Sequence, residues 1–160
     1  MTPDPDRATP LSDLTAARRH WADQGQTLVL TNGCFDLLHP GHVFLLEAAR
    51  AEGDRLIVAI NSDRSVRQIK GLDRPLTPEQ ERAEALLALE CVDGVVIYDE
   101  PTPAALIDAL SPDVLVKGAD WPLHDIVGRE TVTGRGGRVV RVPLVAGQST
   151  SAVVDRIRRT

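Results

Sequence analysis

Two histidines three residues apart flank a Pro-Gly pair in the stretch Thr31-Asn32-Gly33-Cys34-Phe35-Asp36-Leu37-Leu38-His39-Pro40-Gly41-His42, directly after an apolar run. A strand ending here and a helix opening at Gly41 would aim free backbone N–H groups and the positive end of the helix dipole at one point, which is an anion site. Imidazoles beside that point can donate hydrogen bonds to phosphate oxygens. Gly33 and Gly41, lacking Cβ, let the backbone come close to a ligand. Taken alone, the pair His39 and His42 fits a helix cap or an ordinary surface equally well. Its position after a buried strand and at a helix start is what points to phosphate chemistry.

The elements that must hold this point follow from apolar periodicity and breakers. Short apolar runs at 27–31, 55–60, 94–98, 114–116 and 138–142 read as buried strands. Helices are expected over about 12–24, with Ser12 as N-cap, and over 41–51, 62–69, 77–90, 102–110 and 149–159. Thr77-Pro78-Glu79 opens the fourth of these by N-cap and first-turn proline logic. Strands alternating with helices predict a single α/β domain, a parallel sheet covered on both faces with right-handed crossovers. In such sheets ligands sit beyond the carboxyl ends of the strands, near the switch in strand order. Residues 1–10 are polar and proline-rich and read as a loose tail, leaving 11–160 as one domain.

Composition narrows the function classes. The 160 residues suffice for one core, and with only 3% aromatic residues that core must be aliphatic. A net charge of −5 argues against a nucleic-acid groove. Arg156, Arg158 and Arg159 at the end fit a solvated helix terminus. Cys34 and Cys91 form neither a metal-type pair nor a disulfide framework, so both read as reduced packing residues of a cytoplasmic protein. No apolar run approaches the ~20 residues that span a bilayer, and no signal core stands at the N-terminus. No G-x-G-x-x-G follows the first strand, which disfavours a dinucleotide dehydrogenase.

The stretch 33–42 resembles the signature of the cytidylyltransferase-like, H-x-G-H nucleotidyltransferases, a superfamily with a Rossmann-like fold. The resemblance continues through Asn61-Ser62-Asp63, Lys70-Gly71, Arg74-Pro75, Glu79-Gln80-Glu81-Arg82, Glu100-Pro101-Thr102-Pro103, Pro112 to Trp121, Gly136-Gly137 and Gly147-Gln148-Ser149-Thr150-Ser151. From about residue 11 to 158 the series is most similar to the adenylyltransferase modules of ADP-heptose synthases. It departs from them at Pro40, Pro101 and Ala119, of which the last bears on sugar fit. Many such modules are fused to a sugar kinase; with no kinase segment in the sequence, a stand-alone form is the expectation. The resemblance implies a five-stranded sheet in the order 3-2-1-4-5. It also implies transfer of AMP from ATP to D-glycero-D-manno-heptose 1-phosphate, with release of pyrophosphate.

Nucleotidyl transfer needs positioning and charge neutralisation rather than covalent help. On this reading His39, His42 and Lys70 are the catalytic candidates. The histidines contact the triphosphate, and the Lys70 ammonium reaches the sugar phosphate or the α-phosphate. Thr31, Gly33, Cys34, Phe35, Gly41, Lys117, Gly118 and Gln148 complete the nucleotide site. Ser149, Thr150 and Ser151 open the last helix and can hold the β- and γ-phosphates, a role compatible with Ser149 as a plain N-cap. A lysine ending an apolar strand, as Lys117 does, needs a partner, either a ligand phosphate or a carboxylate. Asp36, Asn61, Asp63, Arg74, Asp120 and Trp121 are acceptor-binding candidates. Asp36 could equally fix its own turn, and Trp121 could pack on the sheet rim.

Mg2+ is expected to arrive with ATP, held partly by phosphates and water, and the sequence offers no dedicated metal cage. The partners expected are small molecules only, with no nucleic acid and no membrane, and a homodimer is the default for the superfamily. One alternative keeps the chemistry but uses CTP and glycerol 3-phosphate or another polyol phosphate. A non-catalytic nucleotide-binding module is disfavoured because His39, His42, Lys70 and Lys117 are all present.

Overall fold

The computed structural model describes residues 8–160. In chain order they form α1 (Leu11–Asp23), β1 (Leu28–Gly33), α2 (Pro40–Arg50), β2 (Arg55–Asn61), α3 (Asp63–Lys70), α4 (Glu79–Leu87) and β3 (Gly94–Tyr98). Then follow α5 (Ala104–Leu110), β4 (Val114–Gly118), a 3-10 turn (Leu123–Asp125), α6 (Arg129–Gly134), β5 (Arg138–Val142) and α7 (Thr150–Arg158).

The strands are runs of Val, Leu and Ile, whose branched side chains suit a pleated surface buried on both faces. They form one parallel sheet in the order β3-β2-β1-β4-β5, as the resemblance implied. β1 is central. It pairs with β2 from Leu28↔Arg55 to Gly33↔Ile60 and with β4 from Val29↔Val114 to Thr31↔Val116. After β1 the chain builds outward through β2 and β3, then returns to the other side of β1 with β4. The strand order therefore reverses between β1 and β4, and a crevice opens there at the carboxyl ends.

The period of two along each strand splits the core into two layers. Val29, Leu56, Val58 and Ile60 face Leu46 and Ala49 of α2 and Leu86 of α4. Leu28, Leu30, Ile57 and Ala59 face Leu14 of α1, Leu106, Ile107 and Leu110 of α5 and Val132 of α6. The core is aliphatic, as the composition required. Among the described residues no helix is long and apolar enough to cross a membrane.

Several boundaries differ from the sequence reading. Ser12 lies inside α1, whose N-cap is Pro10 with no side-chain cap bond. The Pro10 carbonyl instead accepts from Asp13 and Leu14. α4 starts one residue later than expected, with Pro78 as its N-cap and no side-chain cap bond, and ends at Leu87 rather than about 90; the Thr77 N–H donates to Asp36. The 3-10 turn and α6 went unread, since α6 buries only Val132 and shows no apolar period. Of the expected tail, residues 1–7 lie outside the described residues. Ala8 packs against the core, and the Thr9 N–H donates to the Val95 carbonyl at 2.8 Å, so the chain joins the fold ahead of residue 11.

Candidate active site

His39 is the N-cap of α2, in extended conformation, and its Nδ1 accepts from the Gly41 N–H at 3.1 Å. That bond fixes the neutral tautomer and leaves Nε2–H as its donor. His42 lies one helical turn on and stacks against His39 with ring centroids 3.8 Å apart and planes 23° apart. Phe35, at a left-handed φ of 48°, also packs against His42, with ring centroids 5.0 Å apart and planes tilted by 49°. A Cβ at position 41 would lie 3.0 Å from both the His39 ring and the Gln148 side chain, a tight contact that Gly41 avoids where the β5–α7 loop meets the start of α2. Gly33 makes room for the Phe35 ring, which a Cβ would meet at 3.0 Å.

This crowding sets the protonation of His42. Burial, then the neighbouring His39 ring, pushes its pKa down to about 4, with Lys70 adding to the effect and the Leu37 backbone opposing it. Burial also lowers His39. Both rings are therefore neutral at pH 7, and His42 presents a hydrogen-bonding group rather than a charge. Its Nδ1 is buried without a hydrogen bond of good geometry, although the Leu37 backbone lies close enough to raise the pKa of the ring.

The unfolded chain, with an ordinary histidine pKa near 6.5, takes up this proton more readily than the folded one. The stabilising contribution of neutral His42 is thus complete above about pH 6.5 and is lost as the pH falls towards 4. An NMR titration of the ring Cε1–H in the free protein should place the midpoint well below 5. A midpoint near 6.5 would contradict the buried stack.

His42 lines a cleft of about 260 Å³ with Lys117, Gly118, Asp120 and Thr150. A second lobe of about 330 Å³ continues from it past Asn61 and Tyr98 to residues 101–103 and 125–127. Both lobes share the β1 exit at Asn32-Gly33-Cys34, together with Lys70, Lys117 and Trp121. The two ammonium groups thus stand where the lobes meet. Lys117 Nζ donates to the Asn32 carbonyl at 2.9 Å and sits 5.1 Å from the centre of the Trp121 ring. Burial lowers its pKa, while Asp120 and Cys34 pull the other way. A ligand phosphate would further favour its charged form. A larger cavity of about 430 Å³ opens at the opposite, amino end of the strands. There Arg18, Arg135 and Arg138 are already tied to Asp113, Asp108 and Glu52, so that cavity lacks a free charge to bind with.

The remaining candidates divide between cleft and scaffold. Ser149 caps α7 by accepting from the Ala152 N–H at 3.0 Å, and Thr150 faces the His42 lobe, whereas exposed Ser151 does not line it. Ser149→Ala should lower unfolding stability by about 1 kcal/mol, read from a urea melt; an unchanged midpoint would deny the cap. Thr31 is fully buried and spends its hydroxyl on the Val116 carbonyl at 2.9 Å, tying β1 to β4.

Asp36 touches the cleft, but its carboxylate is engaged. Oδ2 pairs with Arg74 at 3.0 Å, and Oδ1 accepts from Leu76 and Thr77. It fixes the 74–77 segment, and Arg74 reaches neither lobe. Asp63 pairs with Arg82 at 2.8 Å and also lies outside both lobes.

Sequence reasoning missed Asn32, Tyr98, Thr102 and Asp125 as lining residues, and it gave Arg82 no role. Tyr98, the sole tyrosine and the last residue of an otherwise aliphatic strand, carried the one signal that could have been read.

A sheet reversing beside an H-x-G-H helix start, with two lysines at the junction of a two-lobed cleft, defines a class. Residues 30–155 match the cytidylyltransferase-like family, and the chain belongs to it. More particularly, it is 56% identical over 146 residues to the bifunctional protein HldE of Azorhizobium caulinodans, and 54% identical over 145 residues to that of Koribacter versatilis. Each alignment covers 91% of this chain and 30% of the relative. The chain thus spans about 30% of the length of these relatives. The crystal structure of a lipopolysaccharide core biosynthesis protein from Thermoplasma volcanium superposes with a TM-score of 0.62. That likeness covers 76% of this chain and 98% of the other at 24% identity, and it supports the fold alone.

Proposed function

We propose that this cytidylyltransferase-like nucleotidyltransferase transfers AMP from MgATP to D-glycero-D-manno-heptose 1-phosphate. The observation that carries the reading is the pair of lobes meeting at Lys70 and Lys117 beside His42. The 56% identity to a bifunctional HldE supports the choice of substrates.

The triphosphate lies in the His42 lobe, where the neutral imidazole donates to phosphate oxygen and the N-terminus of α7, at Thr150, receives the outer phosphates. The sugar phosphate enters from the second lobe. An oxygen of its phosphate attacks the α-phosphorus in line. The new O–P bond forms as the bond to the β-phosphate oxygen breaks, and pyrophosphate leaves with both bonding electrons. Lys70 and Lys117 neutralise the charge that two phosphates bring together, so no covalent enzyme intermediate is needed.

Among the described residues no group of three or more His, Cys, Asp or Glu side chains could hold a metal, and Asp36 and Asp63 are committed to Arg74 and Arg82. In this account magnesium arrives with the nucleotide, held partly by its phosphates and by water. The test is pyrophosphate release with ATP, CTP and GTP against heptose 1-phosphate of either anomer and glycerol 3-phosphate. Release with ATP and a heptose 1-phosphate is expected. Release with CTP and glycerol 3-phosphate alone would replace both substrates while keeping the reaction.

A further inference from the structure

We infer that Tyr98 is an acceptor-binding residue: its phenolic hydroxyl, fixed by Asn32, donates a hydrogen bond to a neutral hydroxyl group on the body of the phosphorylated acceptor. The inference rests on the acceptor occupying the second lobe, as in the proposed function.

Tyr98 is 6% exposed, closes β3 and lines that lobe. Its oxygen accepts from Asn32 Nδ2 at 3.3 Å and is flanked by the Asn61 amide. Asn61 also donates to Ser65 Oγ at 3.1 Å and accepts from Cys34 Sγ at 3.6 Å. The phenol oxygen is an acceptor for the neighbouring amides, and its O–H can turn into the lobe. Burial keeps the phenol protonated, so it can donate at neutral pH. Asn32 ties this hydroxyl to the reaction centre, because its backbone carbonyl holds Lys117 Nζ.

The walls define the ligand class. The charged side chains lining the lobe are Lys70 and Lys117 at the junction and Asp125 at the far end, while Pro101, Pro103, Ile126 and Val127 are apolar and Thr102 adds a hydroxyl. A phosphate at the lysines therefore continues into a region with no cation for a second acid, where Asp125 repels one. A quaternary ammonium would need an aromatic cage, and Trp121 already lies against Lys117. A neutral polyol or sugar body fits both constraints.

The test is Tyr98→Phe, which keeps the ring and removes one oxygen. Pyrophosphate release is followed with heptose 1-phosphate and with glycerol 3-phosphate as acceptors. The acceptor KM should rise roughly 10-fold, the effect of one lost hydrogen bond in a desolvated site, with kcat and the nucleotide KM unchanged and the melting temperature lowered slightly because the Asn32 amide loses its acceptor. An unchanged acceptor KM overturns the inference, as does an equal rise in the nucleotide KM, which would mark a structural role. If wild type uses only glycerol 3-phosphate and the variant raises that KM, the heptose reading fails while Tyr98 stands. If wild type uses neither acceptor, both fail.

Discussion

His42→Ala should lower kcat for pyrophosphate release by roughly 10²-fold or more, the scale seen when one preorganised donor to a developing charge is removed. The expectation follows from position and protonation together. His42 lines the lobe assigned above to the triphosphate, its ring packs against His39 and Phe35, and burial holds it neutral by pushing its pKa down to about 4. A neutral donor fixed in place loses no energy to reorganisation as charge builds on the α-phosphate. In the proposed function ground-state binding of ATP falls to Lys70, Lys117 and the start of α7, so the nucleotide KM should change far less than kcat. A His42→Ala enzyme with near wild-type kcat would remove His42 from the transition state.

Arg82→Leu should cost about 3–5 kcal/mol of stability, the usual result of removing one partner from a buried ion pair. For a chain of this size that lowers the melting temperature by on the order of 10 °C. The Arg82 side chain is 0% exposed and is fully used. Nε donates to the Thr77 carbonyl at 2.9 Å, Nη1 to the carbonyls of Cys34 at 2.7 Å and Asn61 at 2.9 Å, and Nη2 to Asp63. One guanidinium therefore joins the exits of β1 and β2, the start of α3 and the segment before α4. Leucine fills much of the volume but leaves three carbonyls and a carboxylate without their donor. Arg82→Lys, with one point charge in place of a planar fork, should recover only part of the loss. Calorimetric melts of the two variants check this. A leucine variant melting with the wild type would mean that water or neighbouring groups replace all four bonds.

The strands, the sheet and the histidine pair were legible because each leaves a local trace. Mostly apolar runs of three to six residues mark the five strands, and a Gly between two histidines after such a run marks a helix start. Lys117 closes a Val-Leu-Val strand, where a phosphate or carboxylate partner was expected; its ammonium instead donates to the Asn32 carbonyl, a contact that only the pairing of β1 with β4 brings about. The carboxylates carried no such trace. Asp36 and Asp63 both follow strands, where a sugar ligand and a structural clamp look identical in sequence. Only the fold brings Arg74 and Arg82 to them, across 38 and 19 residues. Arg82 itself sits in a charged helical stretch that reads as solvated surface, and its burial depends on three loops converging from elsewhere in the chain. α6 failed to register because one buried valine is too little for a period. Tyr98 is the instructive omission: the rule that ligands sit at carboxyl ends applied to β3 as well as to β1, β2 and β4.

The central claim is that an AMP unit passes from ATP to the phosphate of a heptose 1-phosphate. Phosphorus NMR of the protein incubated with ATP, Mg2+ and D-glycero-D-manno-heptose 1-phosphate tests it without coupling enzymes. The account predicts that the sugar monophosphate signal is replaced by a diphosphate diester pair, with one equivalent of pyrophosphate. A sugar monophosphate signal that persists unchanged with ATP, while CTP and glycerol 3-phosphate give the diester, would contradict it.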